Sequence, residues 1–193
     1  MSSLILQPIH TSGDGNCFYY SFLQSYFERP INKEEVLYFK QKLSNELTLE
    51  KVLNHIKNEL LIRIFEIVQH NKELETLVET DFEKSLENSN IKTIVQTIIT
   101  NFKTRLIKDG DWAEDWAQQY CAKELKCNIL VYLDSCNKFN PIFEINKNWP
   151  SIILYNRSNL HWETAVFIFK AEGQPDKFIW KFNEDFVSKL LVK

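Results

Sequence analysis

Glycine is scarce in this chain of 193 residues, which contains only four glycines, five prolines and one methionine. This shortage excludes collagen-like and low-complexity disordered chains, whose conformations depend on glycine and proline. No apolar run approaches the roughly 20 residues needed to span a bilayer. The first residues, MSSLILQPIH, lack the basic segment and the apolar stretch of a secretory signal. We therefore expect a cytoplasmic protein that does not act at a membrane.

Strong net charge and metal-binding cysteine spacing are also missing. The formal net charge is −3, so no overall field attracts nucleic acid or anionic lipid. The four cysteines form no C-x-x-C pair, and Cys121, Cys127 and Cys136 lack the spacing of a zinc finger. The sequence predicts free thiols in a reducing compartment, with no metal and no organic cofactor.

The order of the apolar patterns predicts an α+β fold. With 193 residues, 44% of them hydrophobic, the chain is long enough and apolar enough to form one domain with a core, or one domain with an insert. Residues 31–108 contain almost only helical patterns and no glycine, whereas strands are predicted at 128–133, 142–145, 151–155, 161–170 and 178–182. We predict a single domain, 1–193, with a helical insert at about 31–108.

Two helix starts are predicted from capping boxes, in which two side chains bond reciprocally to the first backbone N–H groups. Asn32 and Glu35 form the first pair, before an apolar stripe of helical spacing. Asp111 and Glu114 form the second pair, and Trp112 is then expected inside the helix. Residues 1–16 are expected to be an extended or irregular lead-in that ends in a turn.

Half of the glycines stand beside one cysteine, in the stretch TSGDGNCFYYSF. Cys17 is predicted to begin a helix, whose N-terminus stabilises a thiolate over a thiol. Gly13 and Gly15 allow positive φ angles, so that neighbouring backbone N–H groups converge on one point. Such groups bind the oxyanion that forms when a thiolate attacks a carbonyl. An ordinary turn before a small buried cysteine remains the alternative for this motif.

The stretch SNLHWETAVFIF supplies a candidate base, because His161 opens a strongly β segment after a polar loop. Side chains alternate along a strand, so His161 and Glu163 share one face. A cysteine protease needs a histidine as base and a polar group that orients its ring. The other histidines offer less, because His10 precedes the turn and His55 and His70 are expected to face solvent on or beside the helical block. A surface histidine on an edge strand is the competing interpretation.

The motif GDGNC followed by two aromatic residues, the patch Trp112–Tyr132 and the patch Ile152–Phe169 together resemble the ovarian-tumour (OTU) family of cysteine proteases. These are deubiquitinases with a papain-like arrangement of catalytic residues. The resemblance implies a small central β-sheet flanked by helices. The helical region at 31–108 is larger than a minimal family core needs and is similar to those of bacterial effector members, where it helps to bind ubiquitin. Secretion into a host cell by a bacterium is one implied location.

The resemblance also assigns residues. It implies Cys17 as nucleophile and His161 as general base, with Glu163 as the third member of the triad. Asp14 matches an acidic position that holds the oxyanion hole, whose backbone comprises Asp14, Gly15, Asn16 and Cys17. The family more often has Asp or Asn at the third position, so Asn159 or Asp14 stands as an alternative to Glu163. Trp162 and Asn159 are the predicted substrate contacts.

The function implied is hydrolysis of the isopeptide bond after the ubiquitin C-terminus, by a monomer whose partner is ubiquitin or polyubiquitin. Two alternatives remain open. The chain could be an inactive module of the same fold that binds ubiquitin, since Glu163 departs from the family pattern. It could also be a protease for a ubiquitin-like modifier.

Overall fold

The structure is a computed structural model that describes residues 2–158 and 161–191. These residues form eight helices and seven strands. They divide into two compact units, one drawn from Met1–Phe39 and Asp109–Lys193 and the other from Lys40–Lys108. Asn159, a predicted substrate contact, lies outside the described residues.

The elements follow one another in an order that places most helices before most strands. In chain order they are β1 (Ser2–Ile9), α1 (Cys17–Phe27), α2 (Lys33–Glu46), α3 (Leu49–Val68), α4 (Lys72–Thr80), α5 (Phe82–Ser85), α6 (Ser89–Ile107), α7 (Asp115–Glu124), β2 (Asn128–Leu133), β3 (Lys138–Pro141), β4 (Ser151–Arg157), β5 (His161–Ala171), β6 (Lys177–Ile179), β7 (Lys181–Phe182) and α8 (Glu184–Leu191).

All seven strands join one mixed sheet, in the order β1-β5-β4-β2-β3, with β6 paired to β5 and β7 to β4. The pair of β2 and β4 is parallel, and the other neighbours are antiparallel. β5 therefore lies between the first strand of the chain and β4. The predicted class, α+β with a central sheet and flanking helices, is confirmed.

The two faces of β5 have different neighbours. Ala165 and Phe167 belong to a buried apolar cluster. Its other members are Leu130, Ile153, Phe182 and Val187. The side chains between them point to the opposite face, which contacts α1. There the ring of Trp162 packs against Phe18, with centroids 5.6 Å apart. The start of β5 is thereby held next to the start of the helix that Cys17 opens.

The second unit is helical. Its long helices α3 and α6 bury one residue per turn, which is the pattern of an amphipathic helix packed on one side. The buried residues are Val52, Ile56, Leu60, Ile64 and Val68 in α3, and Ile91, Val95, Ile98, Phe102 and Leu106 in α6. α3 is kinked at Ile56, whose φ of −138° and ψ of 35° are not helical. No helix in the described part of the chain is long and apolar enough to cross a membrane.

One predicted capping box is confirmed and the other is wrong. The Asn32 N–H donates to the Glu35 carboxylate at 3.0 Å, and the Glu35 N–H donates to the Asn32 side chain at 2.9 Å. The helix predicted from Asp111 instead begins at Asp115, after Glu114. Glu114 accepts the indole N–H of the buried Trp116 at 2.8 Å. Burial of that indole sets the helix start, and Trp112 is left outside it, 55% exposed.

Two strand predictions also need correction. The lead-in at 1–16 contains β1, which pairs with β5 over its full length from Ser2 to Ile9. The strand predicted at 142–145 is instead β3, Lys138–Pro141. A tight hairpin explains the shift, because β3 pairs with β2 directly after the turn and places Phe139 opposite Tyr132, with ring centroids 5.0 Å apart.

A close contact between two glycines fixes the loop before α1. Gly15 has a φ of +84°, and a Cβ added there would lie 2.0 Å from the carbonyl oxygen of Gly110. Gly110 has a φ of +70°, and a Cβ added there would lie 3.1 Å from the carbonyl oxygen of Asp14. The two backbones meet at a distance that no side chain at Gly15 allows.

We predict that Gly15→Ala destabilises the protein far more than Gly173→Ala. Gly173 has a similar φ of +77°, but a Cβ there meets nothing within 4 Å. Its substitution should therefore cost only the backbone strain, about 1–2 kcal/mol. Gly15→Ala adds the collision with the Gly110 backbone, for a total of about 2–5 kcal/mol. Urea unfolding of both variants measures the difference, and equal losses would contradict the close contact.

Candidate active site

Cys17 is the first residue of α1 and is buried, with 4% of its surface exposed. Asn16 is the N-cap residue, and its carbonyl accepts the N–H of Tyr20 at 3.1 Å. The sulfur therefore lies at the N-terminus of the helix, the end that carries the partial positive charge of the helix dipole.

The backbone N–H groups beside Cys17 are not equivalent. The Asn16 N–H donates to the Asp14 carboxylate at 3.1 Å, so it is already used within the loop. In the described part of the chain, the N–H groups of Asp14, Gly15 and Cys17 have no acceptor. Three of the four predicted oxyanion donors thus have no hydrogen-bond partner among the described residues, whereas the Asn16 N–H has one, and the oxyanion hole stays a prediction.

Asp14 and Asp109 hold this loop in shape. The Asp14 carboxylate also accepts the Tyr20 hydroxyl at 3.5 Å, and burial together with the Asp14 charge raises the pKa of Tyr20. The Asn16 side-chain amide donates to Asp109 at 2.7 Å, and Lys33 forms an ion pair with the same carboxylate at 2.7 Å. The loop is anchored through its side chains as well as through the contact between glycines.

His161 lies at the start of β5, directly beside the cysteine loop. Its ring carbon Cε1 is 3.9 Å from the position that a Cβ on Gly13 would occupy. The ring nitrogen Nε2 is buried and has no hydrogen-bond partner in the structure as described. Among the described residues, no hydrogen bond joins His161 to Cys17 or to Glu163. Hydrogen bonds between catalytic groups often tighten only when substrate binds.

Glu163 is buried and shares its carboxylate between two other residues. Arg157 donates to one oxygen at 3.0 Å, and His10 Nδ1 lies 3.2 Å from the other. Burial alone would raise the pKa of Glu163, but the hydrogen bonds from Arg157 and His10 outweigh it and lower the pKa. Glu163 is therefore held as a carboxylate close to His161, and its role as the third triad member stays a prediction.

Buried hydroxyl groups link the three segments of the site. Thr164 of β5 donates to the Ser21 carbonyl at 3.2 Å, and the Ser21 hydroxyl donates to the Cys17 carbonyl at 2.8 Å. Thr11 donates to the Trp162 carbonyl at 2.5 Å, and its hydroxyl oxygen lies 3.3 Å from that of Ser21. The residues next to Cys17 and His161 are thus joined even though the two are not bonded to each other.

The other cysteines are placed differently. Cys121 and Cys127 are buried, and burial raises the pKa of Cys127 to about 12, which keeps it a thiol. Cys136 is exposed, near the hairpin of β2 and β3. Cys17 is therefore the cysteine that combines a helix N-terminus, unused N–H donors and a nearby histidine.

Two residues that contact Glu163, His10 and Arg157, were not predicted from the sequence. His10 was placed only before the turn; its side chain is 82% exposed, yet it bonds to Glu163 and its ring lies 5.6 Å from that of His161. Its position follows from the pairing of Ile9 with Thr164, which a prediction of β1 would have revealed. Arg157 lies opposite His161 across β4 and β5.

The predicted substrate residues have separate outcomes. Trp162 is half-buried, and its ring is packed on Phe18 of α1. A part in substrate binding stays a prediction for Trp162, and the second predicted contact, Asn159, is not among the described residues. Asp14, named as an alternative third triad member, uses its carboxylate within the cysteine loop.

No protein-family model matches the chain, and no curated protein matches it. Solved structures do. An OTU domain in complex with ubiquitin is 12% identical, with 97% of this chain and 83% of that chain covered and a TM-score of 0.48. An OTU deubiquitinase from Wolbachia pipientis wMel is 13% identical (83% and 87% covered, TM-score 0.47), and the OTU domain of OTUD1 is 15% identical (83% and 85% covered, TM-score 0.47). Each is an OTU domain, the family that the sequence motifs resemble.

We predict that Ser21→Ala destabilises the protein whereas Ser25→Ala does not. Both serines are fully buried on α1, but Ser21 takes part in the hydroxyl network and the Ser25 hydroxyl has no partner in the described structure. Loss of the Ser21 hydroxyl should cost about 0.5–1.5 kcal/mol, because it removes the buried hydrogen bond to the Cys17 carbonyl. Removal of the Ser25 hydroxyl should be neutral or stabilising. Thermal unfolding of the pair tests this, and equal effects would argue against the network.

Proposed function

We propose that the chain is a cysteine hydrolase of the OTU type, which cleaves the isopeptide bond after the C-terminus of ubiquitin. The observation that carries this proposal is that Cys17 begins α1 and that the loop directly before it lies beside the ring of His161 at the start of β5. The motif around Cys17 and the strand of His161 are those on which the resemblance to OTU proteases depends.

The chemistry follows from the groups at the site. The Cys17 thiolate attacks the carbonyl carbon of the scissile bond, and the N–H groups of Asp14, Gly15 and Cys17 receive the oxyanion. His161 accepts the thiol proton and donates it to the leaving lysine amine. Water, activated by the same ring, then releases the acyl-enzyme. A rotation of the His161 ring toward Cys17 on substrate binding completes the pair.

Glu163 is proposed to stabilise the imidazolium that forms during the reaction. Its carboxylate lies on the same strand face as His161, and the hydrogen bonds from Arg157 and His10 keep it ionised. The charge acts on His161 without a hydrogen bond in the resting state. Arg157 and His10 are therefore positioning residues in this proposal.

A second candidate function is supported by a specific observation. Cys17 is buried and not bonded to His161, which suits a module of the same fold that binds ubiquitin without cleaving it. A ubiquitin-like modifier is an alternative substrate for the active enzyme. Two of the solved OTU domains similar to this chain are complexes with ubiquitin, which makes ubiquitin the first probe.

We predict that the protein reacts with a ubiquitin probe that carries a C-terminal electrophile, and that it cleaves at least one linkage of di-ubiquitin. Cys17→Ala should abolish probe labelling. His161→Ala should lower the cleavage rate by a factor on the order of 10³ or more, because it removes the base that activates the nucleophile. Labelling by mass spectrometry and a gel assay over all linkages are the measurements.

Cys136→Ser is the matched control, since it removes an exposed thiol and should leave labelling and cleavage unchanged. Binding of ubiquitin with no labelling and no cleavage, equal in the wild type and Cys17→Ala, would establish the non-catalytic module instead. Labelling only by probes built on ubiquitin-like modifiers would show that the substrate is a ubiquitin-like modifier and not ubiquitin.

A further inference from the structure

One group of side chains has the composition of a metal site. In the described residues, His10, His161 and Glu163 form the only group of three or more potential ligands whose donor atoms lie close together, all within 4.8 Å of one another. Two imidazoles and a carboxylate suit Zn²⁺, which accepts nitrogen and oxygen ligands in tetrahedral geometry. Mg²⁺ and Ca²⁺ prefer sites made of oxygen atoms.

We propose that these three residues bind Zn²⁺ reversibly and that the bound ion inhibits the chain by occupying the ring of His161. Binding at the site does not depend on the proposed hydrolase activity, whereas inhibition does.

An unsatisfied atom supports the proposal independently of the spacing. His161 Nε2 is buried and has no partner, and an unpaired buried polar atom costs about 1–3 kcal/mol. A neutral imidazole nitrogen is a metal ligand through its lone pair. A cation bound to Nε2 would remove the free-energy cost of leaving this atom unpaired. In the described structure no protein donor bonds to it.

The distances fit with a small movement. Zn–N and Zn–O bonds of about 2.0–2.2 Å in a tetrahedron separate two ligand atoms by roughly 3.3 Å. His10 Nδ1 and Glu163 already lie 3.2 Å apart. The donor atom of His161 lies within 4.8 Å of both, so small rotations of the three side chains complete the site. The His10 side chain is 82% exposed and follows the end of β1. Its ring is free to move without unpacking the core.

Glu163 has the environment of a ligand. One of its oxygens faces His10, and the other accepts from Arg157 at 3.0 Å. Metal-bound carboxylates and histidines are oriented in this way by further hydrogen bonds. On binding, the Nδ1 proton of His10 passes to solvent while Nε2 takes one up, so the ring stays neutral and Nδ1 gives its lone pair to the metal. Arg157 keeps the second oxygen, and water fills the fourth position of the ion.

The experiment is a calorimetric titration of Zn²⁺ into a chain that carries Cys17→Ala and Cys136→Ser. These changes remove the site thiol and the exposed thiol, while Cys121 and Cys127 stay buried. We expect one Zn²⁺ per chain and no heat from Mg²⁺. His10→Ala and Glu163→Gln in this background should each weaken binding by at least about tenfold. His70→Ala, which removes an exposed histidine elsewhere, should leave the affinity unchanged.

A second measurement avoids any folding defect of the variants. In the chain that carries only Cys17→Ala and Cys136→Ser, the NMR signals of the His10 and His161 rings should shift on addition of Zn²⁺. Those of His55 and His70 should not. Absence of binding, or equal affinity in His10→Ala and the background, would overturn the site. Binding at this site in a protein that shows no hydrolysis would leave the site standing and remove only the proposed function.

Discussion

The buried hydrogen bond from Thr164 to the Ser21 carbonyl is the contact on which the candidate site depends. Cys17 lies one helical turn before Ser21, a rise of about 6 Å, and His161 lies three strand residues before Thr164, about 10 Å. A contact between those two points therefore brings the segments that carry Cys17 and His161 together. Thr11 adds the lead-in segment to the same network through Trp162 and Ser21.

The few glycines of the chain are concentrated at the loop before α1 and at the backbone that it contacts. Three of the four glycines, Gly13, Gly15 and Gly110, lie where the loop meets another backbone segment or the ring of His161. At Gly15, both the positive φ and the collision with a carbonyl exclude other residues. The Asn16 N–H bonds to the Asp14 carboxylate, and this bond helps to hold the loop in shape.

The sequence predicted what depends on local pattern and missed what depends on distant pairing. The fold class, the start of α1 at Cys17 and the capping box of Asn32 follow from short-range spacing, and each was correct. The second helix start was wrong because Trp116 is buried and its indole bonds to Glu114, which no spacing reveals. His10 was missed because it reaches Glu163 only through the pairing of β1 with β5. The roles assigned to Cys17, His161 and Glu163 stay predictions.

The pairing of β1 with β5 bears on the order of events during synthesis. Ile9 pairs with Thr164, so almost the whole chain must leave the ribosome before the sheet can close. At about 5–20 residues per second, the interval is on the order of ten seconds. Contacts between such distant segments also form slowly, because a long loop must close first. Cys17 is thus synthesised early and gains His161 as a neighbour late, so a nascent or truncated chain carries the cysteine loop without the strand that closes against it.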